Sequence, residues 1–253
     1  MISILLNNGI NMYTLKLGSC SITLSFLYPK THLLFDDLNQ TDTIVFPDIY
    51  LDPDYLLRNR WLVDGEVPEE TLEFHCLMLA CGNYILQYDH ALFHGACFLW
   101  KDKAWIFTAP SGTGKTTQLR NWIRMWRKEI KILNGDKPVI ECRKDGSVIA
   151  SSSPWKGKEN IGKPGLSAPL GGIILLSQGK TNKISRMTAQ DSVMPLITEF
   201  VAMPETDEQL IHQGNILNKM LDVTPVWKLV NTGDKESAIL TKKILEEYLE
   251  NVS

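Results

Sequence analysis

The chain is 253 residues long, 44% hydrophobic, 22% charged and 9% aromatic. That balance excludes a disordered or collagen-like polymer, and at ~150 residues per domain it fits one or two globular domains. Formal net charge is −3, no run approaches the ~18 apolar residues of a membrane span, and the short apolar start Ile2–Leu6 lacks the basic flank of a secretion signal, so a cytoplasmic protein with no membrane partner is expected.

From the N-terminus, residues 1–11 read as a dispensable extension ahead of a second candidate start, Met12. Tyr13–Leu17, Ser21–Leu24, His32–Phe35 and Thr43–Phe46 are short β-type runs separated by Gly, Pro, Asn and Asp, so residues 1–65 are expected to form a small β-rich N-terminal region. Breaks fall at Leu51–Asp54 and at Asp64-Gly65. Pro68-Glu69-Glu70 opens a helix to about Tyr84, with acids in the first turn where the helix dipole favours them. Phe93–Trp100 and Ala104–Ala109 read as a hairpin around Lys101-Asp102-Lys103.

Leu119, Trp122, Ile123 and Trp126 repeat at i, i+3, i+4 and i+7, one stripe of an amphipathic helix whose arginines face elsewhere. Ile130–Leu133, Val139–Cys142 and Val148–Ala150 are short strands, and Gly171–Leu176 is an apolar run of the buried-strand type. Thr188 and Thr206 cap two further helices, each with an acid or amide three residues on. Val226–Val230 is a strand, and Asp234 caps a last helix to Leu249. Helices and strands interleave, so residues 66–253 are expected to form an α/β domain with a mixed sheet.

Charge is segregated along the chain. Between Lys101 and Arg186 there are 17 Lys and Arg against 6 Asp and Glu, while the flanks are acidic. A polyanionic partner fits that middle segment, as does a solvated surface, and charge alone does not separate a nucleotide from a nucleic acid. The five cysteines show no Cys-x-x-Cys spacing, which favours reduced thiols over disulfides or a zinc site.

The densest chemistry lies at Ala109-Pro110-Ser111-Gly112-Thr113-Gly114-Lys115-Thr116-Thr117, where a strand meets the clearest helix. This is the phosphate-loop pattern with Ala109 in place of its first glycine. Gly112 and Gly114 let backbone N–H groups turn inward without a Cβ in the way, and the helix start adds its own unsatisfied donors. Lys115 reaches β- and γ-phosphates, and the Thr116 hydroxyl is of the type that binds Mg²⁺. A nucleotide site of this kind also needs a carboxylate. Asp136, in Asn134-Gly135-Asp136-Lys137, follows the next strand and is the candidate, although Asn-Gly-Asp is equally a turn-forming sequence. His94 lies in the hairpin strand whose partner runs into the loop, and as a lone histidine among apolar residues it also reads as a core residue.

Taken in order, His94-Gly95, the hairpin, Ser111–Thr117, Asn134-Gly135-Asp136 and Ser153-Pro154-Trp155-x-Gly157-Lys158-Glu159-Asn160 resemble the HPr kinase/phosphorylase and ATP-dependent phosphoenolpyruvate carboxykinase superfamily. Small bacterial kinase homologues within it look most similar. The resemblance covers about residues 68–250 and leaves the first 65 unaccounted for. It implies a phosphate-loop domain with the mixed sheet of that superfamily, ATP (or GTP) and Mg²⁺ as cofactors, and assembly into homo-oligomers. HPr kinases carry two adjacent aspartates after the phosphate-loop helix, whereas this chain has Asp136 flanked by Gly135 and Lys137. Asp136 is therefore base, metal ligand or both. Glu159, which resembles a signature glutamate of the HPr kinases, is the second candidate ligand, and a surface charge among Lys156, Lys158 and Lys163 otherwise. Those lysines sit in a Gly- and Pro-rich loop of the type that closes over a γ-phosphate.

The sequence thus reads as an ATP-dependent kinase that phosphorylates a serine hydroxyl on a peptide or small protein. Ser111–Thr117 would hold the nucleotide, Thr116 with Asp136 or Glu159 the magnesium, and Asp136 the acceptor hydroxyl, with His94 beside it and Lys115 on the triphosphate. The alternative is a nucleotide-binding partner module without phosphotransfer. A carboxykinase is disfavoured by chain length. A nucleic-acid ATPase would show steeply salt-dependent DNA or RNA binding and is also disfavoured.

Overall fold

The computed structural model describes residues 12–41 and 47–252. The extension 1–11 and the run Thr43–Phe46 lie outside them. Strands β1 (Met12–Leu17) and β2 (Cys20–Ser25) form a tight hairpin, β3 (Leu38–Thr41) pairs antiparallel with β1, and β4 (Ile49–Tyr50) pairs parallel with β2. Contrary to the sequence expectation, His32–Phe35 is not a strand. Thr31–Leu34 is a 3₁₀ turn, because one buried carboxylate gathers the chain there. Glu73 accepts from Leu27 N at 2.5 Å, Tyr28 N at 3.0 Å and Thr31 Oγ1 at 2.5 Å. The expected break at Leu51–Asp54 is instead a helix start: Asp52 Oδ1 accepts from Tyr55 N at 2.7 Å, and Pro53 opens α1 (Pro53–Arg58).

Helix α2 (Glu69–Ile85) matches its expected span within a residue. It buries Leu72, Cys76, Leu77 and Ile85 in a cluster with Leu15, Leu17, Ile22 and Leu24 of the small sheet. Val139 and Trp155, from much later in the chain, belong to that same cluster.

The larger sheet contains β5 (His90–Leu92), β6 (Ala96–Trp100), β7 (Lys103–Thr108), β8 (Lys131–Asn134), β9 (Val139–Cys142), β10 (Val148–Ser151), β11 (Ser167–Gln178), β12 (Lys183–Arg186) and β13 (Val226–Asn231). Its order runs β5-β9-β10-β11-β7-β6-β8, with β13 on β11 and β12 on β13. The sheet is mixed: β7 and β13 run parallel to β11, and β6 and β10 pair antiparallel with their neighbours. The long strand β11 exceeds the expected Gly171–Leu176 at both ends. β12 has no counterpart in the sequence reading because Lys183, Ser185 and Arg186 are exposed and leave no apolar alternation.

Side-chain alternation assigns the two faces. From β7, Ala104 and Ile106 join Ile173, Leu196, Ile216 and Met220 on one side, which α4 (Ala189–Ile197) and α5 (Asp207–Val223) cover. Trp105 and Phe107 join Ile174, Leu119, Trp122 and Leu245 on the other, covered by α3 (Lys115–Trp126) and α6 (Lys235–Val252). The result is a mixed α/β layer architecture with a small second sheet. No helix among the described residues is long and apolar enough to cross a membrane, and all five cysteines are free.

Candidate functional site

The glycine-rich segment connects the end of β7 to the start of α3. Ala109 is fully buried at the strand end, and Pro110–Gly112 are exposed. Gly112 (φ 79°) and Gly114 (φ 116°) both take left-handed backbone, with nothing within 4 Å of where a Cβ would stand. Glycine is required there by conformation rather than by crowding. Lys115 folds back so that Nζ donates to the Ala109 carbonyl at 2.6 Å. Burial pushes the Lys115 ammonium below its ordinary pKa, against the opposing pull of the Glu199 and Asp136 carboxylates. Ser111, Thr113, Thr116 and Thr117 line the loop and first helical turn. Among the described residues, the Thr116 hydroxyl makes no hydrogen bond.

His94 reaches the same neighbourhood by an unexpected route. It does not lie in a hairpin strand: β5 ends at Leu92, β6 begins at Ala96, and Phe93–Gly95 cross between them. Three main-chain bonds hold that crossing: Phe93 N to Pro138 O at 2.9 Å, His94 N to Glu199 O at 2.7 Å and Gly95 N to Asp136 O at 2.8 Å. Thr108 Oγ1, the last residue of β7, donates to the His94 carbonyl at 2.7 Å, which sets the imidazole beside the end of the loop strand.

Asp136 follows β8, as expected from the sequence. Asn134 Oδ1 accepts from both Asp136 N and Lys137 N at 2.8 Å, an Asx turn that aims the carboxylate. Asn134 is in turn fixed by Nδ2 donation to Ser153 O and Oγ, each at 3.1 Å. Asp136 Oδ2 takes Lys137 Nζ at 2.6 Å, and Oδ1 lies 3.5 Å from His94 Nε2. Asp136 and His94 thus meet, and the Asp136 carboxylate acts electrostatically on Lys115.

Glu159 stands apart from that cluster: it is exposed and pairs with Arg120 at 3.3 Å. Arg120 is four residues beyond Thr116 on α3, so Glu159 lies over the helix face that carries Thr116. Lys158 and Lys163 are exposed, but Lys156 is buried and pairs with Asp36 from the small sheet's side. That pairing removes Lys156 from the lysines available to a γ-phosphate.

Glu199 escaped the sequence reading, and Ser153 entered it only as part of the Ser153–Asn160 motif. Glu199, 4% exposed, binds His94 Nδ1 through Oε2 at 2.9 Å. The apolar series Val193, Leu196, Ile197 and Phe200, continued as a helix, would turn Glu199 outward. The chain leaves the helix at Thr198, which turns it inward instead. Ser153 supports Asn134 and donates to Lys137 O at 2.5 Å. A separate cleft of about 240 Å³ lies between the small sheet and β9–β11, bordered by Ser19, Glu141, Arg143 and Ser153. Neither Asp136 nor Lys115 borders it.

The donor set suits Mg²⁺, which takes hydroxyl and carboxylate oxygens and keeps water and phosphate oxygens for its remaining positions. Thr116 offers a hydroxyl that makes no hydrogen bond among the described residues, and Asp136 and Glu159 offer carboxylates. No family model matches the chain, and no curated protein matches it. Among solved structures, the HPr(Ser) kinase/phosphatase from Coxiella burnetii matches 52% of this chain and 91% of its own at 11% identity, with a TM-score of 0.26. So low a score carries no argument about fold detail or activity.

Proposed function

We propose that the protein is an ATP-dependent kinase that transfers the γ-phosphoryl group to a hydroxyl, a serine of a peptide or small protein. The observation that carries this reading is the meeting of the Gly112–Thr116 loop with an Asp136–His94 pair at the ends of β7 and β8. When bound, Mg²⁺ and ATP supply the phosphoryl group and screen its charge. Backbone N–H groups of Ser111–Gly114 and the start of α3 cradle the phosphates. Lys115 leaves the Ala109 carbonyl for the β/γ-phosphate oxygens. Thr116 with Asp136 or Glu159 would hold the metal. Asp136 accepts the hydrogen bond of the acceptor hydroxyl and takes its proton as the new O–P bond forms, and the bond from the γ-phosphorus to ADP breaks.

The decisive experiment is Asp136→Asn. ATP binding is expected to stay within about tenfold, since the backbone cradle and Lys115 remain. Phosphotransfer is expected to fall by at least ~10²-fold, the lower end for loss of a positioned base. Mass spectrometry of candidate peptides incubated with protein, ATP and Mg²⁺ reads the outcome. Undiminished transfer moves the base elsewhere, Glu159 first. Tight ATP binding by a wild type that labels no peptide, protein or free serine replaces the kinase with a nucleotide-binding partner module.

A further inference from the structure

We propose that Glu199 is a positioning residue which fixes His94 in one tautomer and thereby keeps Asp136 open to the acceptor hydroxyl. The inference rests on the kinase reading for its consequence, and on geometry alone for the tautomer. Glu199 Oε2 is 2.9 Å from His94 Nδ1. An ionised carboxylate accepts hydrogen bonds and donates none, so in a neutral ring the hydrogen sits on Nδ1. Glu199 also grips the same residue at its main chain, where His94 N donates to Glu199 O at 2.7 Å. Ring and backbone are held by one buried residue.

Nε2 then presents a lone pair to the site. Asp136 Oδ1 lies 3.5 Å away and is not aligned as a hydrogen bond. Two acceptors at that separation frame a slot that admits a donor, and the hydrogen of an alcohol fills it. The opposite tautomer would place N–H on Nε2, facing Oδ1 at 3.5 Å, and set a donor in the slot where the hydrogen of the acceptor hydroxyl would go. Lys137 already holds Oδ2 at 2.6 Å, so Oδ1 is the oxygen worth protecting. Glu199 thus acts on Asp136 through the ring, in addition to its direct electrostatic pull on Lys115.

The test is Glu199→Gln, which keeps the shape but lets an amide N–H face Nδ1. An analogous carboxylate-to-amide change behind a catalytic histidine preserves geometry and leaves the wrong tautomer. Imidazole ¹H–¹⁵N correlation spectra at mildly alkaline pH are expected to show His94 as the Nδ1–H form in wild type and the Nε2–H form in the variant. Phosphotransfer kcat is expected to fall at least tenfold with KM for ATP within twofold. In a His94→Ala background the same substitution is expected to add nothing. An Nε2–H ring in wild type, an unchanged tautomer in Glu199→Gln, or a full additional loss in the His94→Ala background overturns the proposal. The spectra need no acceptor, so they decide on Glu199 even where phosphotransfer itself fails to appear.

Discussion

Gly157 offers a measurement of how tightly Asp136 is held. Its backbone is left-handed (φ 75°), and a Cβ built on it would stand 2.8 Å from Asp136 Cβ and 3.0 Å from Asp136 Cγ. Optimal carbon contacts are about 3.5–4.0 Å, so Gly157→Ala requires a relative shift approaching an ångström. Asp136 has little room to give, since its N–H is tied to Asn134 and its carbonyl to Gly95 N. Gly146 is the natural control, also left-handed (φ 84°) but with nothing within 4 Å of a Cβ. The left-handed penalty of about 1–2 kcal/mol and the opposing unfolded-state gain of about 0.4–1 kcal/mol apply to both variants. Overpacking of about 1–3 kcal/mol applies to Gly157→Ala alone. Equilibrium urea denaturation with a shared slope is therefore expected to show Gly146→Ala losing about 1 kcal/mol or less and Gly157→Ala about 2–4 kcal/mol. ATP affinity is expected to hold within about twofold, because the Ala109–Thr116 loop is untouched, while phosphotransfer falls toward the ~10²-fold loss that a 1 Å misplacement can cause. Equal destabilisation of the two variants, within ~0.5 kcal/mol, refutes the claim that the loop at Gly157 braces Asp136.

Two further outcomes follow from the described geometry. Lys115→Met removes the ammonium that rests on the Ala109 carbonyl and is expected to weaken ATP binding at least tenfold, about 1.4 kcal/mol by isothermal titration, with circular dichroism unchanged. Equal affinities would dismiss the phosphate-loop reading. Glu141 supplies a pH dependence: burial pushes its carboxyl up, but hydrogen bonds from Arg143 and Ser19 and the nearby His90 outweigh that and leave it below the ordinary 4.5. The folded state then binds fewer protons than the unfolded chain, so this stabilisation is present above pH 4.5 and is lost as pH falls through the lowered value. Urea titrations across that acid window are expected to show a shallower loss in Glu141→Gln, and an identical slope would contradict it.

What the sequence made legible was local. The loop from Ala109 to Thr116, the stripe of α3, and the caps at Thr188 and Thr206 depend on residues within a turn or two of each other. The caps are made as expected, Thr188 Oγ1 accepting from Asp191 N at 3.1 Å and Thr206 Oγ1 from Gln209 N at 3.2 Å. What it hid was non-local. Glu199 meets His94 across 105 residues, and Lys156 meets Asp36 across 120, so no window of sequence contains either pair. The interruption at Phe93–Gly95 was hidden for another reason. Its apolar residues continue a strand pattern, and bonds to Glu199, Asp136, Pro138 and Thr108 bend it away. The turn at Thr31–Leu34 likewise answers to Glu73, 42 residues downstream of Thr31.

The β1–β2 hairpin has a further consequence for synthesis. Its tip residue Ser19 bonds to Glu141, 122 residues later, and its inner face packs with Val139 and Trp155. At about 5–20 residues per second, a ribosome takes roughly 6–24 s to supply those partners. During that interval Leu17, Ile22 and Leu24, fully buried in the finished molecule, lack part of their cover on the nascent chain. The hairpin emerges early and finishes late. It is a segment where a ribosome-associated chaperone has a long opportunity to bind, and where a slowed ribosome lengthens exposure.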